Sequence, residues 1–306
     1  MNTRYIHTVL LLAVPLLMAC SSDEGSSTME KQPIRLTGSI ADGTQSETRA
    51  ATTLYDSFYG GEQIDVSIYK GNTVNAANVI VKENNVYTIA ANGVMSYNSA
   101  DLEPYFPTTA DGQVTIRASY PSNPTAATTS VTVLADQTDD DDYKAGELLY
   151  AEGTYTRTTG TTAIPLTFHH RMAKIVVNLT ARNGVPDLPA TVKLLGFKPI
   201  AILTKADGTV VASGATIDIV MSTGGSAMVP PQTIAANRPI FEIVTAQGDI
   251  AQYKLPTALQ FKPDYVYTYD VQVDMRKIII KTTITSWGSP DAENIFVGNM
   301  LGEEWS

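Results

Sequence analysis

Residue types that commonly act in catalysis are few in this sequence. Beyond the first residues, the histidines are the adjacent pair His169 and His170. Adjacent residues on a strand point to opposite faces, so this pair cannot readily share one metal ion. We expect one imidazole to face the interior and find a hydrogen bond there, and the other to face water. No G-x-S-x-G elbow, G-x-G-x-x-G loop or phosphate-binding loop occurs. The sequence therefore predicts no catalytic residue, no cofactor and no enzyme activity, although a spatial pair of carboxylates stays open.

The acidic run Asp139–Asp142 could in principle form a calcium loop. With Asp141 as position 1, a glycine and a glutamate fall at positions 6 and 12 of such a loop. Positions 3 and 5, however, are Tyr143 and Ala145, which cannot supply the carboxylates that the loop needs. We interpret the run as a solvated turn, with an adventitious ion site as the alternative. No metal site is predicted.

The amino terminus has the layout of a signal peptide. Arg4 supplies a positive charge, Val9–Leu17 forms a short apolar core, and residues 1–19 end before Cys20. The apolar run is too short to span a membrane as a helix. Cys20 is the only cysteine, so no internal disulfide can form. A lone cysteine at this position needs a specific reason.

The reason is suggested by Leu17-Met18-Ala19-Cys20, which resembles a bacterial lipobox. The resemblance implies that the lipoprotein export machinery acylates Cys20 and makes it the first residue of the mature chain. Acyl chains contribute ~0.8 kcal/mol per buried methylene, enough for stable attachment to the outer membrane. The alternative is an ordinary secretory signal with a coincidental cysteine. Residues 20–49 are then a lipidated leash followed by a first strand, and Ser21–Glu24 resembles the acidic tag of surface lipoproteins of the Bacteroidetes.

Composition and patterning predict an all-β chain. The net charge of -10 disfavours nucleic acid as a partner. Short alternating segments such as Gln63–Tyr69 and Gln113–Ala118 recur between turn signals, which is typical of β-sandwiches. A hairpin is predicted around Glu83-Asn84-Asn85. We predict two tandem β-sandwich domains, at residues 50–158 and 159–306, the second ending in a C-terminal tail.

Two groups of aromatic residues could stack on sugars. The first lies at Tyr55, Phe58 and Tyr59, and the second is the alternating set Tyr265, Tyr267 and Tyr269. Alternating tyrosines on a strand more often serve packing, with their hydroxyl groups reaching the surface. Packing is therefore the favoured interpretation, and glycan binding is the alternative.

Several of these features together resemble the fimbrillin superfamily of Bacteroidetes surface pili. The most telling stretch is Gly146–Leu179, "GELLYAEGTYTRTTGTTAIPLTFHHRMAKIVVNL", in which Glu147 replaces the usual aspartate. The "GGEQIDVSIY" stretch and the "ITSW" that ends at Trp287 also resemble family features. The resemblance implies transthyretin-like sandwiches, export as a lipoprotein, and a role as a shaft or tip subunit of a fimbria that contributes to adhesion.

The resemblance also implies a mechanism of assembly. An arginine-specific protease would cut between Arg49 and Ala50, and the strand Ile34–Ile40 would leave with the lipid. Another fimbrial subunit would then insert an extended strand in its place. The residues implied in this exchange are Ile34, Leu36 and Ile40 in the departing strand and Ile278, Ile280 and Ile284 in the donor region.

The donor region is Ile278–Trp287, with or without the tail to Ser306, and the sequence does not choose between them. If Arg49 is never cut, the chain keeps its lipid. It would then be a pilus anchor or a surface lipoprotein that binds a glycan or another host or bacterial surface ligand.

Overall fold

The described part of the chain consists mainly of β-strands. A computed structural model describes residues 31–41, 57–108, 112–158, 160, 162–181, 191–221, 225–244, 250–273, 278–287 and 300–301. The elements up to residue 170 are β1 (Leu36–Ile40), β2 (Gln63–Lys70), β3 (Asn85–Ile89), β4 (Val94–Tyr97), β5 (Gln113–Tyr120), β6 (Thr128–Thr132), α1 (Asp140–Lys144), β7 (Leu149–Thr156) and β8 (Ile164–His170). Short 3-10 turns lie at Ala76–Asn78 and Ala100–Leu102.

The remaining strands follow after a sharp change of direction at residues 171–172. They are β9 (Ala173–Ala181), β10 (Thr191–Phe197), β11 (Ile200–Thr204), β12 (Val210–Ser213), β13 (Ile217–Val220), β14 (Ser226–Val229), β15 (Gln232–Ile234), β16 (Pro239–Val244), β17 (Ile250–Lys254), β18 (Leu259–Phe261), β19 (Tyr265–Val273), β20 (Ile278–Ser286) and β21 (Met300–Leu301). The all-β class predicted from the sequence is confirmed. Within the described residues, no helix has the length and apolar character needed to cross a membrane.

Seven strands close into a barrel in the order β1-β4-β3-β2-β5-β7-β8. This differs from the sandwich predicted for residues 50–158, because β1 pairs on both of its edges and so joins the two ends of the sheet. The barrel also takes in β8, which lies beyond the predicted domain boundary at residue 158. Strand β6 leaves the barrel and pairs with β11. Whether the two parts are separate domains stays a prediction.

The carboxy-terminal strands form two larger sheets around one core. Their orders are β13-β10-β16-β17 and β14-β9-β19-β20-β21. Both sheets contribute to the same hydrophobic cluster, in which the Phe241 and Tyr269 rings meet edge to face at 5.3 Å. Smaller sheets, β12-β11-β6 and β15-β18, complete this part. Tyr267 and Tyr269 are 1% and 0% exposed, so the packing role favoured above is confirmed. Their hydroxyl groups do not reach the surface as expected: the Tyr267 O–H donates to the Gln260 carbonyl at 2.9 Å, and the Tyr269 hydroxyl is buried.

A buried ion pair connects the barrel to the turn after β11. Lys205 Nζ lies 2.6 Å from Asp65 Oδ2, on β2. The same carboxylate accepts hydrogen bonds from Ser122 Oγ at 2.6 Å and from the Asn123 backbone N–H at 2.7 Å. Both oxygens of Asp65 thus accept hydrogen bonds, from three donors in two segments. A buried charge of this kind is tolerated because it is paired and hydrogen-bonded.

Two local predictions are corrected. The hairpin predicted around Glu83-Asn84-Asn85 has only its second strand, β3. The first half is limited to a single bridge between Val79 and Tyr69, since Val81 and Asn84 have positive φ angles of 69° and 49° that interrupt an extended chain. The acidic run, interpreted as a turn, overlaps the start of the five-residue helix α1, whose first turn is capped by the Asp139 side chain.

Candidate functional site

The candidate site is the place of β1 in the barrel. Strand β1 runs parallel to β8 over five residue pairs, from Leu36–Ile164 to Ile40–Phe168. On its other edge it pairs antiparallel with β4, where Leu36 faces Met95. No other strand of the barrel joins β4 to β8. Removal of β1 would therefore leave two unpaired strand edges on either side of one gap.

The side chains of β1 alternate strictly between the interior and the surface. Ile34, Leu36 and Ile40 are 1%, 2% and 5% exposed, and Gly38 completes the inward series. These side chains belong to one hydrophobic cluster with the residues that surround the strand. We call the space that β1 fills the β1 groove, and it is lined by Ile89, Met95, Ile164, Leu166 and Phe168.

Gly38 packs closely against side chains that line the β1 groove. A Cβ atom at this position would lie 2.8 Å from Ile89 Cδ1 and 3.0 Å from Phe168 Cε2. On the β4 side, Gly38 N–H donates to the Gly93 carbonyl at 2.8 Å. Gly93 has a φ of +81°, and a Cβ there would lie 2.6 Å from the Gly38 oxygen. Gly93 is thus required for the close approach of its backbone to that of Gly38, whereas a side chain at Gly38 would press on the side chains of Ile89 and Phe168.

A polar clamp holds the segment before β1. The Arg157 Nε–H donates to Gln32 Oε1 at 2.7 Å, and the Gln32 amide donates to the Thr158 carbonyl at 3.0 Å.

Arg35 forms a largely exposed ion pair with Glu103 at 3.2 Å. Hydrogen bonds from the Tyr105 and Tyr97 hydroxyls lower the pKa of Glu103, and Arg35 adds to the effect. Surface ion pairs of this kind contribute little to stability. The buried side chains of Ile34, Leu36 and Ile40 therefore contribute most of the free energy that keeps β1 in place.

Both ends of the segment that contains the predicted cut are anchored at Phe168. On one side, the Ala41 backbone N–H donates to the Phe168 carbonyl at 2.8 Å. On the other, the Phe58 ring meets the Phe168 ring edge to face at 5.3 Å. Residues 42–56 connect these two anchors. After a cut within them, β1 would be held by non-covalent contacts alone.

Several predicted site residues lie outside the described part of the chain. They are Cys20, Arg49, Ala50 and Tyr55. Their roles in lipidation, processing and stacking stay predictions.

The predicted donor region coincides with β20, which is a core strand of its own sheet. It pairs antiparallel with β19 over nine residue pairs, from Ile278 to Ser286. Ile280 and Ile284 are 1% and 4% exposed. On its outer edge, the described pairing is short: Ile279 and Ile280 face Leu301 and Met300 of β21. Strand β20 is therefore built firmly into the chain, whereas β21 touches it over two residue pairs.

The histidine pair divides as expected from strand geometry. His169 is exposed, and its Nδ1 lies 3.2 Å from Asp264 Oδ2. His170 is fully buried, with Nδ1 3.0 Å from Glu147 Oε2, and its ring stacks on Trp287 at 3.8 Å. Trp287 directly follows β20. Strand β8 therefore has two neighbours: it pairs with β1 over five residue pairs, and its last residue, His170, contacts the residue that follows β20. Among the described residues, no group of three histidine, cysteine, aspartate or glutamate side chains could hold a metal ion.

Sequence reasoning missed Gly38 and Phe168 as parts of the site. Gly38 could have been found by extending the two-residue alternation from Ile34 and Leu36, which places it inward. Phe168 could not, because its contacts with Ala41 and Phe58 depend on a pairing between segments far apart in the chain.

A family model described as fimbrillin-like matches residues 48–287. A solved structure of a candidate cell adhesion protein from Bacteroides ovatus has a TM-score of 0.64 at 18% identity, covering 85% of this chain and 99% of that chain. Another, from Bacteroides uniformis, has a TM-score of 0.61 at 18% identity, covering 83% and 98%. No curated protein matches significantly. At such identities the likeness establishes the fold.

Proposed function

The chain belongs to the fimbrillin-like family, and we propose that it is a structural subunit of a cell-surface fimbria, joined to its neighbours by strand exchange. The observation that carries the proposal is β1, a strand that seals the barrel on both edges and fills the β1 groove with an alternating apolar series. The solved structures with this fold include candidate cell adhesion proteins.

In this proposal the chain is exported as a lipoprotein through Cys20 and is cut between Arg49 and Ala50 at the cell surface. The leash and β1 then leave together. Burial of Ile34, Leu36 and Ile40 contributes about 1.5–3 kcal/mol each. The empty groove would expose these contacts and two strand edges to water, and this makes it a strong acceptor for another extended strand.

The dimensions of the β1 groove restrict the strand that can enter. An incoming strand must present large apolar side chains at the positions of Leu36 and Ile40 and a very small residue at that of Gly38, since a Cβ atom there would meet Ile89 and Phe168. A synthetic peptide of residues 31–41 should therefore rebind the cut chain. The same peptide with Gly38→Val should bind far more weakly, while a Ser39→Val peptide, altered on the exposed face, should bind like the original.

Either β20 or the tail at residues 288–306 could be the donor strand. The two differ in the free energy that the donating chain loses when the segment leaves it. Donation of β20 would remove Ile280, Ile284 and Trp287 from their own core, at about 1.5–3 kcal/mol for each apolar side chain. Donation of residues 288–306 would break, within the described residues, only the two pairs that Met300–Leu301 makes with β20. We infer that the tail is the first segment to be donated. Deletion of residues 288–306 should stop polymerisation and leave the melting temperature of the monomer nearly unchanged.

The experiment that tests the proposed function is mass spectrometry of the mature amino terminus, on protein from the outer membrane and from sheared filaments. The proposal expects filament protein that begins at Ala50. Arg49→Lys should abolish this form and the filaments, whereas Arg238→Lys, at an exposed arginine far from β1, should not. A chain that begins at acylated Cys20 in every fraction would overturn the proposal and favour a lipid-retained anchor or surface binding protein.

A further inference from the structure

An open cleft lies apart from the β1 groove, where the loop before β2 meets the end of β5 and helix α1. Its volume is about 380 Å³, and it is lined by Tyr59, Tyr120, Asp141, Lys144 and Ala145. None of these residues lines the β1 groove or belongs to β20. Its volume lies within the ~300–1,000 Å³ typical of small-molecule sites.

The walls of the cleft are fixed before any ligand arrives. On one side, Glu62 accepts hydrogen bonds from the backbone N–H groups of Tyr59, at 2.7 Å, and Gly60, at 2.8 Å. On the other side, Asp139 accepts from the Asp141 backbone N–H at 2.8 Å and so fixes the start of α1. Tyr143, on the opposite side of α1, is 3% exposed and anchors the helix in the core. A prearranged site loses less conformational entropy when it binds a ligand.

The side chains of the cleft combine an aromatic surface with both signs of charge. Tyr59 is a large side chain that stays 50% exposed. The Lys144 ammonium lies 4.9 Å from the centre of the Tyr59 ring and 3.9 Å from Asp141 Oδ1. The Asp141 side chain is 93% exposed, so its carboxylate oxygens face solvent at the edge of the cleft. The carboxylate can accept hydrogen bonds, the ammonium can donate them, and their charges cancel.

We propose that this cleft binds a neutral pyranose unit of a surface glycan. A pyranose has an apolar face of C–H groups that suits a tyrosine ring, and a rim of hydroxyl groups that both donate and accept. It would take the place of the Lys144 ammonium over the Tyr59 ring, which at an exposed site is a weak contact. Asp141 would accept from adjacent hydroxyls, and Lys144 would donate to another. The cancelled local charge and the overall charge of -10 disfavour acidic sugars. This inference goes beyond the proposed function, because a subunit assembled by strand exchange does not need the cleft.

The test measures binding of the mature full-length chain to immobilised oligosaccharides ending in neutral hexoses or N-acetylhexosamines, with sialylated oligosaccharides as the acidic set. We expect binding to members of the neutral set. Tyr59→Ala should weaken it at least tenfold, and Asp141→Asn should weaken it severalfold. Tyr59→Phe, which keeps the ring, should retain most of the affinity. Val211→Ala, at an exposed apolar residue outside the cleft, should retain all of it.

Thermal melting of each variant separates loss of binding from loss of folding. Retained affinity in Tyr59→Phe would show that substitution at position 59 does not by itself disturb the loop before β2. Absence of binding to all neutral probes would overturn the inference. So would binding to the sialylated set alone, or unchanged affinity in folded Tyr59→Ala. Because these residues lie outside the β1 groove, filament formation by Tyr59→Ala should stay normal, so the two proposals can fail independently.

Discussion

Replacement of Leu36 by alanine should loosen β1 more than any change on its outer face. Leu36 is 2% exposed and faces Met95 on β4 and Ile164 on β8, so its loss leaves a cavity between two strands. Such truncations cost about 2–5 kcal/mol. The uncut chain should lose this much free energy of unfolding in urea. After cutting at Arg49, the same loss should speed the release of β1 by about 30-fold or more, since 1.4 kcal/mol corresponds to a factor of ten.

The assay is native mass spectrometry of the purified chain at intervals after treatment with an arginine-specific protease. Ser39→Ala is the matched control, because Ser39 lies on the same strand and points outward. It should release β1 at the wild-type rate. Equal release rates for Leu36→Ala and Ser39→Ala would refute the reasoning that buried side chains hold β1. A cut chain that keeps β1 indefinitely in both variants would refute its role as a removable strand.

Three further substitutions test buried contacts elsewhere in the chain. Lys205→Met leaves the Asp65 carboxylate buried without its partner and should cost about 3–5 kcal/mol in urea unfolding; adding an Asp65→Asn change should recover part of the loss. Trp287→Ala removes the ring stacked on His170 and should cost about 3–5 kcal/mol, seen as a lower urea midpoint, with a shifted His170 ring signal by nuclear magnetic resonance. Burial raises the pKa of Tyr267 from 10.0 to about 12, so the folded state favours the neutral phenol. This preference adds to the free energy of unfolding in full below pH 10, and the added stability is lost as the pH rises to 12, at about 1.4 kcal/mol per pH unit. The free energy of unfolding should therefore fall less steeply with pH in this window in Tyr267→Phe than in the wild type.

Local patterns in the sequence predict the strands well where apolar residues alternate with other residues. The alternation in Gln63–Tyr69 identifies β2, which the structure gives as Gln63–Lys70, and the series that begins at Tyr265 identifies β19. The failure at Asn78–Lys82 has a local cause, since the positive φ of Val81 is unfavourable for a β-branched residue and is not readable from composition. The Asn84 backbone N–H donates to Ser67 Oγ and stabilises that turn.

The closure of the barrel could not be predicted from the sequence, because it depends on which distant strands meet. The parallel pairing of β1 with β8 joins residues near 38 to residues near 166, and no local pattern encodes that partner. The same limit applies to His170. Strand periodicity correctly places it on the face opposite His169, but its contact with Trp287 is made between segments that only the fold brings together.

The position of β1 meets two opposing needs of a subunit that assembles by the proposed strand exchange. A barrel with a missing strand exposes two edges with unpaired backbone groups, which invite aggregation before the chain reaches its destination. Strand β1 seals both edges, and its inward side chains occupy the groove that a later partner would need. Its attachment nevertheless runs through residues 42–56, whose two ends are both anchored at Phe168, so a single cut converts an internal strand into a bound peptide. Under the proposed strand exchange, another subunit could bind only after this peptide leaves. The rate of its departure would then depend on the buried side chains of Ile34, Leu36 and Ile40 and on the close packing at Gly38.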